Sequence, residues 1–342
     1  MRENGPYPYG GAVEEVSPPR GPGRQGPLRP EFHGVLNINK PAGITSHDVV
    51  DAVRRILRMK RVGHTGTLDP LATGVLPICV GKATKISQYL IQADKEYRMI
   101  MRLGVTTDTL DADGKVLTHT DMEPVPLEKL QEVLAQFVGE IHQVPPLFSA
   151  KKIHGQRLYR LARRGEVVDR PPVTVRIDEV ILLAYEPPLV HFSMRCSKGT
   201  YARALCDDIG RVLGCGAYLQ NLVRTRSGRF TVEEALSLED LEKLHADGRV
   251  WEVLIPIGEA LTHLPAVRIL PEFSRGLLHG SSLPASAVIQ FPPARAAGTL
   301  VRVLGFRQQL LCLAETLVGA AEVPSCDPHR FVLKPLRVFS SQ

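Results

Sequence analysis

The sequence has no apolar stretch approaching the ~20 residues that a membrane span needs, and its opening, MRENGPYPYGG, lacks the apolar core of a secretory signal. These two absences predict a soluble, cytoplasmic chain with no membrane partner. The six cysteines (Cys79, Cys196, Cys206, Cys215, Cys312, Cys326) form no C-x-x-C pair and no zinc-ligand spacing. Reduced, partly buried thiols are therefore expected, not a disulfide framework or a metal centre. H-E-x-x-H and G-x-S-x-G do not occur, which weakens the readings as a metalloprotease or a serine hydrolase. Gly81-Lys82 closes a stretch like a phosphate loop, but the interval from Gly74 is too long and Ala83 stands where Ser or Thr is needed. No internal repeat is visible.

What is present is a chain of 342 residues, 44% hydrophobic and 23% charged. That is enough for a sizeable core and, at ~100–200 residues per domain, for two domains or one with an appendage. Lys plus Arg number 42 against 36 Asp plus Glu, a formal charge of +6. The excess is compatible with a polyanionic partner without proving one. Residues 1–30 hold six glycines and seven prolines, too little apolar surface to offset ordering entropy, so a disordered tail over 1–32 is expected. Its Gly21-Pro22-Gly23-Arg24-Gln25-Gly26 fits G-x-G-x-x-G, but no strand precedes it and its prolines argue against a following helix.

Order is predicted from residue 33. Gly34–Asn39 alternates as a strand, and Thr45 or Ser46 caps a helix with Val49, Val53, Ile56 and Leu57 at helical spacing. Val75–Val80, Tyr97–Leu103, Val173–Leu183 and His191–Ser197 read as strands, and residues 127–138 as an amphipathic helix. Lys198-Gly199-Thr200 turns into a helix with Leu205, Ile209, Val212 and Leu213 on one face. Short strands separated by Gly and Pro fill 265–339, with Thr299–Leu304 and Leu310–Ala314 as a hairpin, which puts a domain boundary near 260. The mixed order predicts an α+β fold rather than a doubly wound sheet.

The most unusual stretch, Gly63-His64-Thr65-Gly66-Thr67-Leu68-Asp69-Pro70-Leu71-Ala72-Thr73-Gly74, is a loop holding one carboxylate, one imidazole and several small residues. Asp69, between Leu68 and Pro70, either sits partly buried against a cation or starts a turn ahead of the proline. Asp111-x-Asp113-Gly114 echoes a calcium loop, but Thr109 and Thr120 occupy positions that need carboxylates, so it reads as a turn. Residues 151–170 are basic. Arg157, Arg160 and Arg164 share a helical face, and Leu158 and Leu161 lie on the other.

The Gly63–Gly74 loop resembles the signature of the TruB family of RNA pseudouridine synthases. Further blocks resemble that family in its order: Asn39-Lys40-Pro41-Ala42-Gly43-Ile44-Thr45-Ser46, Lys95-Glu96-Tyr97-Arg98, Pro145–Gly155 and Ser197-Lys198-Gly199-Thr200-Tyr201-Ala202-Arg203. The resemblance implies a pseudouridine synthase domain over 33–260, with a mixed, mainly antiparallel sheet and flanking helices, an RNA-gripping thumb over 145–172 and a small PUA-like barrel over 261–342. It implies that uracil is detached from C1′, rotated and rejoined through C5, a reaction needing no cofactor and no metal. Asp69 is then the catalytic carboxylate, either a nucleophile at the sugar or a base at C2′. Arg203 becomes its ion-pair partner rather than a solvated surface arginine. Tyr97 becomes a residue that stacks on the target base rather than plain core.

By the same resemblance Tyr201 and Leu222 line the uracil pocket, His64 enters the RNA loop beside the flipped base, and Lys40 lies near the site in a structural role. Lys151, Arg157, Arg160 and Arg164 would contact phosphates, fixing position rather than reading sequence. The implied partner is tRNA, gripped at its T-arm and, through the C-terminal strands, at its acceptor stem. No obligate protein partner is implied, and a monomer is expected. The family also has RNA-guided members; the thumb-like insertion favours the stand-alone tRNA type. The chain departs from the family in its tail and at Val223, where arginine is often found. Competing classes are an RNA chaperone that folds tRNA by the same grip, and a glycoside or nucleoside hydrolase, which would release free base.

Overall fold

The computed structural model describes residues 32–339, apart from 150, 154, 159, 160, 162, 163, 165, 167 and 294. The predicted tail lies outside them except for Phe32. Among the described residues thirteen strands make up the first part of the fold: β1 (Gly34–Lys40), β2 (Val62–His64), β3 (Thr73–Val80), β4 (Lys95–Leu103), β5 (Val105–Thr107), β6 (Val116–His119), β7 (Gly139–Gln143), β8 (Lys152–Ile153), β9 (Gln156–Arg157), β10 (Val173–Glu186), β11 (Leu189–Cys196), β12 (Ala217–Ser227) and β13 (Phe230–Thr231). Nine of them form one sheet in the order β1-β3-β12-β4-β11-β10-β7, with β2 on β3 and β13 on β12. Every pairing in it is antiparallel except β3 with β12.

The start of the first helix has a clear chemical cause. Thr45 caps the Ser46–Leu57 helix, its side chain accepting from the Asp48 amide while Asp48 reaches back to the Thr45 amide, a full capping box. The face predicted for that helix is buried at Val49, Val53 and Leu57, joined by Val50, with Ile56 at its margin. The Ala202–Leu213 helix differs in one position: Val212 is exposed. Gly210 stands so close to β12 that a Cβ there would lie 2.3 Å from the Ala217 nitrogen. This approach centres the buried face on Leu205, Cys206 and Ile209 and turns Val212 outward.

The strand Ala217–Ser227 was not anticipated. It carries Gln220, Asn221, Arg224 and Arg226 and breaks register twice against β4, so no clean alternation marks it. It is nonetheless central, antiparallel to β4 and parallel to β3 at Val223↔Thr73 and Arg224↔Gly74.

The remaining strands are β14 (Ala266–Ile269), β15 (Leu283–Pro284), β16 (Val288–Gln290), β17 (Leu300–Leu304), β18 (Leu310–Thr316) and β19 (Phe331–Val338). They form a second sheet in the order β15-β19-β18-β17-β14-β16 with its own core. β17 and β18 are the antiparallel pair expected from the sequence. A further apolar cluster, including Val35, Val75, Ile86, Ile257, Leu313 and Phe339, joins the two sheets. Among the described residues no helix is long and apolar enough to cross a membrane.

Candidate active site

The loop between β2 and β3 is held at nearly every carbonyl. Ser46, the first residue of its helix, donates its hydroxyl to the Leu68 carbonyl at 3.0 Å and accepts from the Leu68 amide at 2.8 Å. The Leu68 side chain is buried in the main core, so Asp69 follows a residue fixed on both sides. Lys40, wholly buried, donates Nζ to the carbonyls of Pro41, Pro70 and Ala72 at 2.8, 3.1 and 2.7 Å. Burial pulls its pKa down to about 8, partly opposed by Asp69. A second buried cation, Arg224 at 2% exposure, donates to the carbonyls of Val75, Gly66 and Thr67 at 2.7, 3.3 and 3.5 Å. Burying a charge costs several kcal/mol unless it is fully hydrogen-bonded, and here loop carbonyls supply that compensation.

The close passage of β12 requires Gly74. Its φ is +98°, and a Cβ there would lie 2.3 Å from the Arg224 carbonyl oxygen.

Asp69 projects from this scaffold with its side chain 35% exposed, and its Oδ2 lies 2.9 Å from Arg203 Nε. Arg203 is buried in the first turn of its helix. Its Nη1 donates to the Thr109 carbonyl at 3.0 Å and stands 3.4 Å from Asp111 Oδ2, and its Nη2 donates to the Phe148 carbonyl at 2.8 Å. The fork is thus occupied on every nitrogen and cannot swing away from Asp69 without losing several charge-assisted bonds. The turn read at Asp111 from the sequence is real, and its carboxylate is buried behind Arg203. Burial raises its pKa, against the opposing pull of Thr109 and Arg203. The site therefore holds two carboxylates on one guanidinium, and only Asp69 faces the cavity.

That cavity, about 230 Å³, is lined by Asp69, Arg203, Tyr97, Tyr201, Leu222 and Lys95 among others. Tyr97 comes from β4 and Leu222 from β12, neighbours in the sheet, whereas Tyr201 immediately precedes the Ala202–Leu213 helix. Burial raises the pKa of Tyr97, with Arg224 pulling the other way through charge and a hydrogen bond. The Tyr201 hydroxyl is likewise raised by burial. Lys95 is buried, donates to the carbonyls of Ile91 and Ala93, and is drawn down to about 8 by desolvation. The combination is a slot with two tyrosines and a leucine in its wall, several cations around it and one anchored carboxylate, suited to a planar ring whose attached sugar meets an anion.

Of the residues expected from sequence, Asp69, Tyr97, Arg203, Tyr201, Leu222 and Lys151 line this cavity together. Lys40 does not; it lies beneath the loop. His64 ends β2 at half exposure, its Nδ1 accepting from the Gly66 amide at 3.3 Å, beside the cavity and outside its lining. In the basic segment Arg160 lies outside the described residues. Arg157 pairs with Lys152 through backbone in a two-stranded ribbon. Arg164 is exposed, bonded to Gln156 at 2.6 Å and paired with Glu166 at 2.8 Å. Leu158 and Leu161 are buried, as their spacing predicts. Sequence reasoning missed Asp111, Arg224 and Lys95. Among the described residues no cluster of three or more His, Cys, Asp or Glu side chains is placed to hold a metal ion.

Comparison with known proteins identifies the family. Residues 54–202 match the family model described as TruB family pseudouridylate synthase, N-terminal domain, and residues 203–262 match the tRNA pseudouridylate synthase B C-terminal domain. The chain is 43% identical over 281 residues to tRNA pseudouridine synthase B of Pseudomonas aeruginosa, covering 81% of this chain and 92% of that protein. It is 40% identical over 307 residues to the protein of that name from Alkaliphilus oremlandii, covering 90% and 98%. A solved H/ACA ribonucleoprotein bound to a substrate RNA containing 2′-deoxyuridine includes a chain 29% identical to this one. It superposes with a TM-score of 0.74 over 90% of this chain and 86% of that one.

Proposed function

This chain belongs to the TruB family of pseudouridylate synthases, an isomerase of tRNA uridine, and from that premise we propose that its substrate is the T-loop uridine and its catalytic carboxylate is Asp69. The observation that carries the reading is the anchored pair, Asp69 on Arg203 at 2.9 Å, at the wall of a slot bounded by Tyr97, Tyr201 and Leu222.

The reaction breaks the bond from N1 to C1′, turns the ring, and forms a bond from C5 to C1′; N1 gains a proton and C5 loses one. Atoms balance without a redox partner. A uridine inside a folded loop must first leave its stack, at a cost of a few kcal/mol. The aromatic walls at Tyr97 and Tyr201 offset that cost by stacking. Asp69 then meets the sugar either as a nucleophile at C1′ or as the base that takes the C2′ proton. Both roles need a carboxylate of fixed direction, which the Arg203 fork supplies.

Lys151 in the lining of the cavity supports a role for residues 145–172 as a thumb over the RNA. The sheet of residues 266–338 is the part we assign to the acceptor stem. Mapping pseudouridine by carbodiimide labelling and primer extension on an unmodified tRNA transcript tests the site. One modified uridine, in the T-loop, is expected; modification elsewhere in the transcript contradicts the assignment.

A further inference from the structure

Gln143 is the last residue of β7, where the chain leaves the sheet for the basic insertion; its register partner Val173 opens β10, where the chain returns. Its side chain is wholly buried and makes two bonds to a single residue. Gln143 Oε1 accepts from the Tyr201 amide at 2.9 Å, and Gln143 Nε2 donates to the Tyr201 carbonyl at 3.3 Å. Tyr201 is the N-cap of the Ala202–Leu213 helix and has no side-chain cap bond of its own. In a capping box the residue three beyond the cap would reach back to the cap amide, but here that residue is Ala204, which cannot. Gln143 supplies the missing acceptor from another element. Five residues further along the insertion, the Phe148 carbonyl takes the Nη2 donor of Arg203.

We infer that Gln143 is a positioning residue for the isomerisation: by holding the backbone of Tyr201 at both polar atoms, it sets Tyr201 against the base and Arg203 against Asp69. The inference rests on the reading of the site given above. A burial so complete would otherwise waste two hydrogen-bonding groups on packing, since an apolar side chain of the same length fills that volume at lower desolvation cost. The hold also places the root of the insertion in register with the ion pair, so that segment and the carboxylate are built from one rigid corner.

The test compares wild type, Gln143→Met and Gln143→Glu in single-turnover tritium release from a T-arm stem-loop labelled at uridine C5, alongside RNA affinity and thermal unfolding. Gln143→Met should lower the single-turnover rate about 10- to 100-fold, the scale of a small misplacement of reacting groups, with RNA affinity within about three-fold of wild type. Gln143→Glu keeps the acceptor for the Tyr201 amide and regains a donor for the carbonyl only when its carboxyl is protonated. Burial raises the pKa of such a carboxyl, so its rate relative to wild type should climb as pH falls from about 8 to about 6. A wild-type rate in Gln143→Met overturns the inference, as does an equal, pH-independent loss in both variants, which marks a packing role. Absence of release from wild type would instead overturn the reading of the site.

Discussion

Arg203 Nε lies 2.9 Å from Asp69 Oδ2, while the far edge of the same guanidinium faces Asp111 at 3.4 Å and two backbone carbonyls. One buried cation therefore orients a cavity-facing carboxylate from behind. Its rigidity comes from the partners that Asp69 does not share.

Arg203→Lys retains the charge but not the fork, and a single ammonium cannot reach Asp69, Asp111 and both carbonyls together. Turnover should fall by about 100-fold, the scale on which misplaced groups lose rate, with RNA affinity little changed. Arg203→Met leaves Asp111 buried without a cation and should cost about 3–5 kcal/mol of stability. Urea unfolding and single-turnover rates check both. A fully active Arg203→Lys enzyme would contradict the orienting role.

Gly74→Ala adds a Cβ 2.3 Å from the Arg224 carbonyl at a backbone φ of +98°. β3 and β12 would have to separate at the one place where they run parallel. A loss of roughly 1–3 kcal/mol or more is expected from strain alone, with activity falling because Arg224 carries the Gly66 and Thr67 carbonyls. Unchanged stability in urea would contradict the close approach.

Lys40 gives stability a pH dependence of definite sign. Its folded pKa is about 8 against an ordinary value of 10.5. Between those values the unfolded chain binds the extra proton, so the folded state gains stability as pH rises through the window. Below about 8 both states are charged, and the burial penalty is present in full. Lys40→Met lacks this contribution. The stability difference between wild type and Lys40→Met, from urea unfolding at about pH 7.5 and about pH 10, should therefore shift in favour of wild type at the higher pH. A difference independent of pH would contradict it.

Much of the fold was legible because local chemistry and global position agree. Thr45 begins a helix by a capping box, and the Tyr97–Leu103 alternation lies within the longer strand Lys95–Leu103. The β12 strand was illegible because its polar residues obey tertiary demands. Arg224, the most buried of them, collects carbonyls from a loop about 150 residues earlier. Asp111 and Gln143 were missed for a related reason. Each looks ordinary in its own segment, a turn aspartate and a strand-end glutamine, and acquires its role only from a partner on the Ala202–Leu213 helix or at its cap. The Asp69 loop stood out in the sequence because small residues crowd around a single carboxylate, and the structure places those residues where backbone carbonyls converge on Lys40 and Arg224.

The central claim, that Asp69 carries the chemistry rather than the binding, is tested most directly by tritium release from a T-arm stem-loop labelled at uridine C5, with wild type and Asp69→Asn assayed beside RNA affinity. Isomerisation must free the C5 hydrogen, whereas binding or base hydrolysis need not. Release by wild type, none by Asp69→Asn and affinities within a few-fold of each other are the predicted result. Release by Asp69→Asn at the wild-type rate, or a loss of RNA binding in step with activity, would contradict it.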